Sequence, residues 1–171
     1  VPSNPTTFDP HSSTAKAMLR VTVNIYETLL EFDVDTKEVM PKLAKSWEMP
    51  ADNEYIFYLR DDVKFHNGNP MTVNDVVYSL QRCIDTPAAN TFVMAIDKME
   101  AIDDYTLKVT LKEPSPTFLN NLTNGTVSII PEGSGDTINE NPIGTGPFKF
   151  VEYAVDDYVL LERTDNYWGE Q

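Results

Sequence analysis

Two histidines, one cysteine and three adjacent pairs of carboxylates are the side chains of this sequence whose types could do chemistry. His11 and His66 stand far apart, and no spacing unites them with carboxylates as metal ligands. They read as solvent-facing or turn histidines, with His66 inside a tight turn and in reach of backbone groups. Asp61-Asp62, Asp103-Asp104 and Asp156-Asp157 could supply a general acid and its base. All three pairs fall at strand ends or turns, where acidic pairs are commonly solvated. Cys83 sits on an apolar stripe and reads as a small buried hydrophobe, and a single cysteine forms no internal disulfide. There is no GxSxG, no Walker A and no dinucleotide fingerprint. The sequence therefore points to no catalytic residues, no metal ligands and no cofactor. Asn121-Leu122-Thr123 and Asn124-Gly125-Thr126 fit glycosylation sequons but read as ordinary loop residues.

Composition narrows the classes further. The formal net charge is −14 over 171 residues, with 41% hydrophobic and 11% aromatic side chains. Phosphate contacts need clustered Lys and Arg, so nucleic acid is excluded as a partner. The aromatic content argues for a packed core rather than disorder. No run approaches the roughly 18 apolar residues of a membrane span. The chain is long enough for one ordinary core or two small ones.

The elements that must position these residues are clearest between Ser46 and Arg82. Glu54 to Arg60 alternates, with Tyr55, Phe57 and Leu59 on one face and Glu54, Ile56, Tyr58 and Arg60 on the other, the period of a strand. The Ala51-Asp52-Asn53 turn before it lets Trp47 to Met49 pair back in antiparallel fashion. Asn67-Gly68-Asn69-Pro70 breaks the backbone. Thr72 then caps a helix, with Asp75 three residues on as in a capping box, and Val73, Val76, Val77, Leu80, Cys83 and Ile84 fall on one helical face.

Elsewhere the pattern predicts a helix over Thr14 to Leu30, capped by Ser12, Ser13 or Thr14. An exit strand follows at Glu31-Phe32-Asp33, then a turn at Val34 to Lys37 and a short helical turn over Pro41 to Lys45. Pro87 stops the long helix, and Thr91 to Met99 reads as a second, short one. Ala101 to Asp103 and Thr106 to Leu111 form a hairpin around Asp104-Tyr105. Thr117 to Leu122 is a short helix and Val127 to Ile130 a strand. Gly133-Ser134-Gly135 has the composition of a flexible linker, natural or engineered. Phe148 to Tyr153 and Tyr158 to Arg163 make a last hairpin across Asp156-Asp157. Val1 to Pro10, rich in Pro, Asn and Thr, is an extended or turning lead-in.

Several stretches together resemble the bacterial extracellular solute-binding proteins that serve peptide and nickel ABC importers. They are Leu43-Ala44 with Trp47, Asp61-Asp62, Lys64-Phe65-His66-Asn67-Gly68, Pro70-Met71-Thr72, Asp75-Val76-Val77-Tyr78-Ser79, Asn141 to Phe148, and Asn166-Tyr167-Trp168. Pro5 to His11 matches a further segment, before which the family places a first β-strand. Asn67 stands where the family carries aspartate. Val1-Pro2-Ser3 has no basic start or apolar run, so the resemblance implies an export or lipoprotein signal outside this sequence.

The resemblance implies an α+β fold of the periplasmic binding protein-like II type. Residues 1–29 would be a main-lobe segment, 30–131 an accessory subdomain, and 132–171 a linker and the return to the main lobe. It implies a non-catalytic substrate-binding component of an ABC importer that captures peptides outside the membrane and delivers them to permease subunits. The protein would be a monomer, periplasmic or anchored outside the cell as a lipoprotein. Ligand contact would fall on Ser13, Thr14, Ala15 and Lys16, through main-chain pairing that reads a peptide irrespective of its side chains. Gly144, Thr145, Gly146 and Pro147 would be the hinge or return motif. A nickel- or other small-solute-binding protein of the same family is the alternative. A hydrolase using a carboxylate pair, or a domain docking a basic partner on its acidic surface, are readings from other classes.

Overall fold

Residues 5–169 are described by the computed structural model, so the Val1 to Asn4 part of the lead-in lies outside the described residues. In chain order the elements are α1 (Lys16–Ile25), β1 (Leu30–Phe32), β2 (Val39–Pro41), β3 (Ala44–Ala51), β4 (Glu54–Leu59), α2 (Val73–Asp85) and α3 (Pro87–Val93). There follow β5 (Ile96–Asp103), β6 (Thr106–Leu111), α4 (Phe118–Asn121), a 3-10 turn at Gly125–Val127, β7 (Phe148–Ala154) and β8 (Tyr158–Arg163).

The alternation in β4 builds the centre. It pairs antiparallel with β3 on one side and β6 on the other, in a four-stranded sheet of order β3-β4-β6-β5. Tyr55, Phe57 and Leu59 are buried on one face together with Leu107, Val109 and Leu111 of β6. Helix α2 lays Val73, Val76, Leu80 and Cys83 onto that face, and Phe118 and Leu122 close its end. The other face carries half-exposed Glu54, Ile56, Tyr58 and Lys108, as an antiparallel sheet with one solvated side should. A second, smaller apolar cluster joins Ile25, Tyr26, Ile130 and Ile138, with Phe150 and Leu161 of the β7–β8 hairpin against it.

The capping box forms as the residue types require. The Asp75 carboxylate accepts the Thr72 backbone N–H at 2.8 Å, and its other oxygen accepts the Glu132 N–H at 2.9 Å. The chain after the 3-10 turn is therefore held to α2 by side chains.

Four local expectations are corrected. The first helix is shorter than Thr14 to Leu30: it runs from Lys16 to Ile25, and its N-cap, Ala15, makes no side-chain cap bond. It stops because the Ile25 carbonyl accepts the Gly146 N–H, and the following residues extend to meet Leu43 and Ala44, whose N–H groups donate to the Thr28 and Leu29 carbonyls. Pro41 to Lys45 is likewise not helical: β2 ends at Pro41, the chain bends at Lys42 and Leu43, and β3 begins at Ala44. The helix expected over Thr91 to Met99 lies earlier, at Pro87–Val93. Its Pro sits in the first helical position, where its missing N–H costs nothing, and Ile96 onward pairs with β6 instead. Finally, Val127 to Ile130 joins no ladder; the Ile129 N–H donates to the Glu27 carbonyl and the Ile130 N–H to Ser79 Oγ.

The two faces of β4 give a test. Phe57→Ala should lower unfolding free energy by about 3–5 kcal/mol, and Tyr58→Ala, one residue on, by about 1 kcal/mol or less. Urea midpoints of the two variants measure the contrast.

Candidate functional site

Ser13, Thr14, Ala15 and Lys16 lie together at the surface where the chain enters α1. Ser13 to Ala15 are not helical: Ala15 has φ −63 and ψ 130, and its N–H donates to Ser13 Oγ at 3.1 Å. Thr14, Ala15 and Lys16 are exposed and Ser13 is half-buried. Among the described residues, the Ser13 carbonyl and both backbone groups of Thr14 have no backbone partner. This non-helical edge, extended at Ala15, leaves the Ser13 carbonyl and the Thr14 backbone groups open to pairing.

The edge hangs from a buried polar cluster. Asp9 accepts two hydrogen bonds from the Arg82 guanidinium, at 2.8 and 2.6 Å, and one from the His11 backbone N–H at 3.0 Å. The His11 ring is wholly buried. Its Nε2 is 2.8 Å from the Ser128 carbonyl and its Nδ1 is 2.8 Å from Arg82. A carbonyl can only accept and a guanidinium can only donate, so the ring is neutral with its proton on Nε2. Burial, with Arg82 adding to it, pushes the His11 pKa down to about 4. The expectation of a solvent-facing His11 is thus overturned: it is a core brace.

Gly144, Thr145, Gly146 and Pro147 come together at the end of α1, between His66 and Glu27. His66 donates its backbone N–H to the Gly144 carbonyl at 2.9 Å and accepts the Gly144 N–H at Nδ1 at 3.3 Å. Its Nε2–H donates to the Gly146 carbonyl at 2.8 Å. The turn histidine expected to bond backbone does so, across 80 residues of sequence. Burial lowers its pKa also. The approach to α1 leaves no space for side chains: a Cβ on Gly144 would overlap the Ile25 carbonyl, and one on Gly146 would sit 2.5 Å from the Asn24 carbonyl.

Glu27, which the sequence reading passed over, is 3% exposed. Its carboxylate accepts Thr145 Oγ1–H at 2.9 Å, Trp168 Nε1–H at 2.7 Å and Tyr167 O–H at 2.6 Å, with Lys42 Nζ at 3.9 Å. Burial first, then the bond to Glu27, pushes the Tyr167 phenol well up. Trp168 also lies under the Arg60 guanidinium, 4.4 Å from its ring centre. The available signal was a lone acid inside the apolar run Ile25 to Leu30, which needs donors if the run is buried. Arg82 was missed too, being one polar residue on an otherwise ordinary helix.

The other candidates do not converge. All six residues of the carboxylate pairs are exposed. Cys83 is buried, and burial pushes its thiol pKa far up. Among the described residues no group of three His, Cys, Asp or Glu side chains is placed to hold a metal, and no helix is long and apolar enough to cross a membrane. A cavity of about 440 Å³ lies between the outer stripe of α2 and Glu132 to Asp136. The Gly133-Ser134-Gly135 stretch there is tied down, the Gly135 N–H donating to Tyr78 Oη at 3.0 Å and its carbonyl accepting from Arg82 at 3.3 Å.

Both a family model and solved structures match this chain. The model for bacterial extracellular solute-binding proteins, family 5, matches residues 38–171. A glutathione-binding protein of Pectobacterium atrosepticum is 34% identical over 95% of this chain and 33% of its own length. The periplasmic binding protein DppA of Helicobacter pylori, solved with the peptide STSA, superposes with TM-score 0.88 at 32% identity, over 99% of this chain and 39% of that one. A nickel ABC transporter structure from Bacillus halodurans gives TM-score 0.85 at 36% identity, over 97% and 34%. The chain spans about a third of the length of the curated relatives it matches.

Two outcomes follow. The unfolded chain takes a proton on histidine near pH 6.5 and folded His11 only near about 4, so between these values the unfolded state binds more protons. Stability from His11 is complete above pH 6.5 and lost as pH falls toward 4, on the order of 3 kcal/mol in all, with His66 acting in the same direction. Denaturant midpoints from pH 7.5 to 4 should fall more steeply in the unsubstituted protein than in His11→Gln, which is weaker at neutral pH. Glu27→Gln puts an amide donor against donors and should cost about 2–3 kcal/mol, with Trp168 emission moving to the red.

Proposed function

The chain belongs to the family 5 bacterial extracellular solute-binding proteins, and from that premise we propose that it is part of a peptide-capturing component of an ABC importer. The observation that carries the peptide reading is the non-helical Ser13 to Ala15 edge, exposed at Thr14 and Ala15, whose Ser13 carbonyl and Thr14 backbone groups have no backbone partner among the described residues. Such an edge pairs with the backbone of an extended peptide and ignores its side chains. Lys16 at its end places a cation beside the edge. No bond is made or broken: capture is burial of the solute between two lobes.

On this reading residues 30–131 are an accessory subdomain built on the four-stranded sheet. Residues 1–29 and 132–171 are pieces of the main lobe. The larger apolar cluster, drawn mainly from residues 29–129, supports that division, although Ile143 and Trp168 pack against it and Ile130 joins the smaller cluster. Gly144 to Pro147, strapped to His66 and Glu27, mark the return beside the hinge. The whole protein works as a monomer outside the cytoplasmic membrane, in the periplasm or tethered as a lipoprotein, and hands its solute to permease subunits. The remaining pockets for ligand side chains belong to polypeptide beyond this chain.

The test is titration with a mixed pool of two- to five-residue peptides. Amide resonances of Ser13, Thr14, Ala15 and Lys16 should shift at millimolar peptide, while calorimetry of this chain alone shows no micromolar binding. Shifts confined to other residues would refute the edge. Micromolar affinity in the chain alone would refute the two-lobe division.

A further inference from the structure

We propose that Arg82 is a positioning residue for ligand capture: from α2 it sets the direction of the Ser13 to Ala15 edge through Asp9 and His11. The inference rests on the reading of that edge as the peptide-pairing strand. One guanidinium meets three stretches remote in sequence. It donates to both Asp9 carboxylate oxygens, to His11 Nδ1 and to the Gly135 carbonyl. His11 passes the restraint on to the Ser128 carbonyl through Nε2.

Only Ser12 separates His11 from Ser13, a reach of about 7 Å. Ser12 is itself tied, its N–H and Oγ–H both donating to the Asp9 carbonyl at 3.3 and 3.0 Å. At its other end the edge runs into α1, anchored by buried Met18, Thr22 and Ile25. The edge is therefore held at two points. α1 fixes one; at the other, Arg82 holds Asp9 and His11 behind Ser12, next to Phe8, whose carbonyl accepts Tyr26 O–H at 3.1 Å and whose N–H donates to Asn139 Oδ1 at 2.8 Å. With Arg82 gone, a largely buried Asp9 loses its cation and the hold on His11 and Ser12 loosens, while Phe8 and the apolar packing of α1 stay in place. The Arg82 side chain is 22% exposed and lines the 440 Å³ cavity, so shortening it opens no void in the core. Lysine is no equivalent, since a point charge cannot bridge both carboxylate oxygens and His11 at once.

The experiment is backbone ¹⁵N relaxation on this chain without peptide. In Arg82→Met, order parameters over Ser12 to Ala15 should drop from about 0.85 to below about 0.6, with Val76, Leu80 and Val109 unchanged; Arg82→Lys should fall between. A folded Arg82→Met with an unchanged edge overturns the proposal. If that variant does not fold, Asp9→Asn, which keeps the shape and removes the charge, gives the same reading. In the full-length protein, Arg82→Met should weaken peptide affinity about tenfold, with Arg82→Lys between; a loosened edge with unchanged affinity also overturns it. Order parameters are read without ligand, so failure of Arg82 to hold the edge and failure of the edge to bind peptide appear in different measurements.

Discussion

A carboxylate buried at the end of the first helix sets the terms for much of this structure. Taking Glu27 out of water costs several kcal/mol unless donors replace the water. None of its donors is local. They come from Thr145, from Tyr167 and Trp168, and at longer range from Lys42. Because a buried acceptor left unpaired is costly, these segments must arrive together. The chain after Ile25 then has to run extended, and the last aromatic residues must fold back on the first helix. The glycines facing the Ile25 carbonyl allow the approach that Thr145 needs.

Several stretches that carry the family resemblance are gathered by a few buried polar groups. His66 grips the Gly144 to Gly146 backbone, Glu27 gathers Thr145 with Tyr167 and Trp168, and Arg82 gathers Asp9 with His11. Each contact joins residues from distant parts of the sequence through a polar group that is wholly or largely buried. Such groups specify one arrangement, because slippage leaves a donor or acceptor unmet. The exposed Ser13 to Ala15 edge is free of these demands. A scaffold with fixed internal joints and an open main-chain edge suits a family whose relatives are named for glutathione, peptide and nickel.

How far the sequence could be read follows from where each element's instructions lie. The β3–β4 hairpin, the capped α2 and the β5–β6 turn were legible because alternation, capping chemistry and turn residues are local. The end of α1 was not, because the Gly146 N–H that stops it lies more than a hundred residues away. Val127 to Ile130 has the side chains of a strand, yet its amides are taken by Glu27 and Ser79. His11 looked like a loop residue because nothing nearby in sequence announces Arg82 and Ser128. At the proposed site, Ser13 to Lys16 were nominated by the resemblance, whereas the groups behind them became visible only with tertiary contacts.

The β7–β8 ribbon bears on how molecules of this chain meet one another. It is a two-stranded sheet, and Val151, Val155 and Leu160 on it are exposed. Ribbons with open edges and bare aliphatic side chains are templates for intermolecular strand addition. A formal charge of −14 opposes such encounters. That repulsion reaches about 10 Å in 0.1 M salt and about 3 Å in 1 M. Ionic strength therefore sets how far charge alone holds two such ribbons apart.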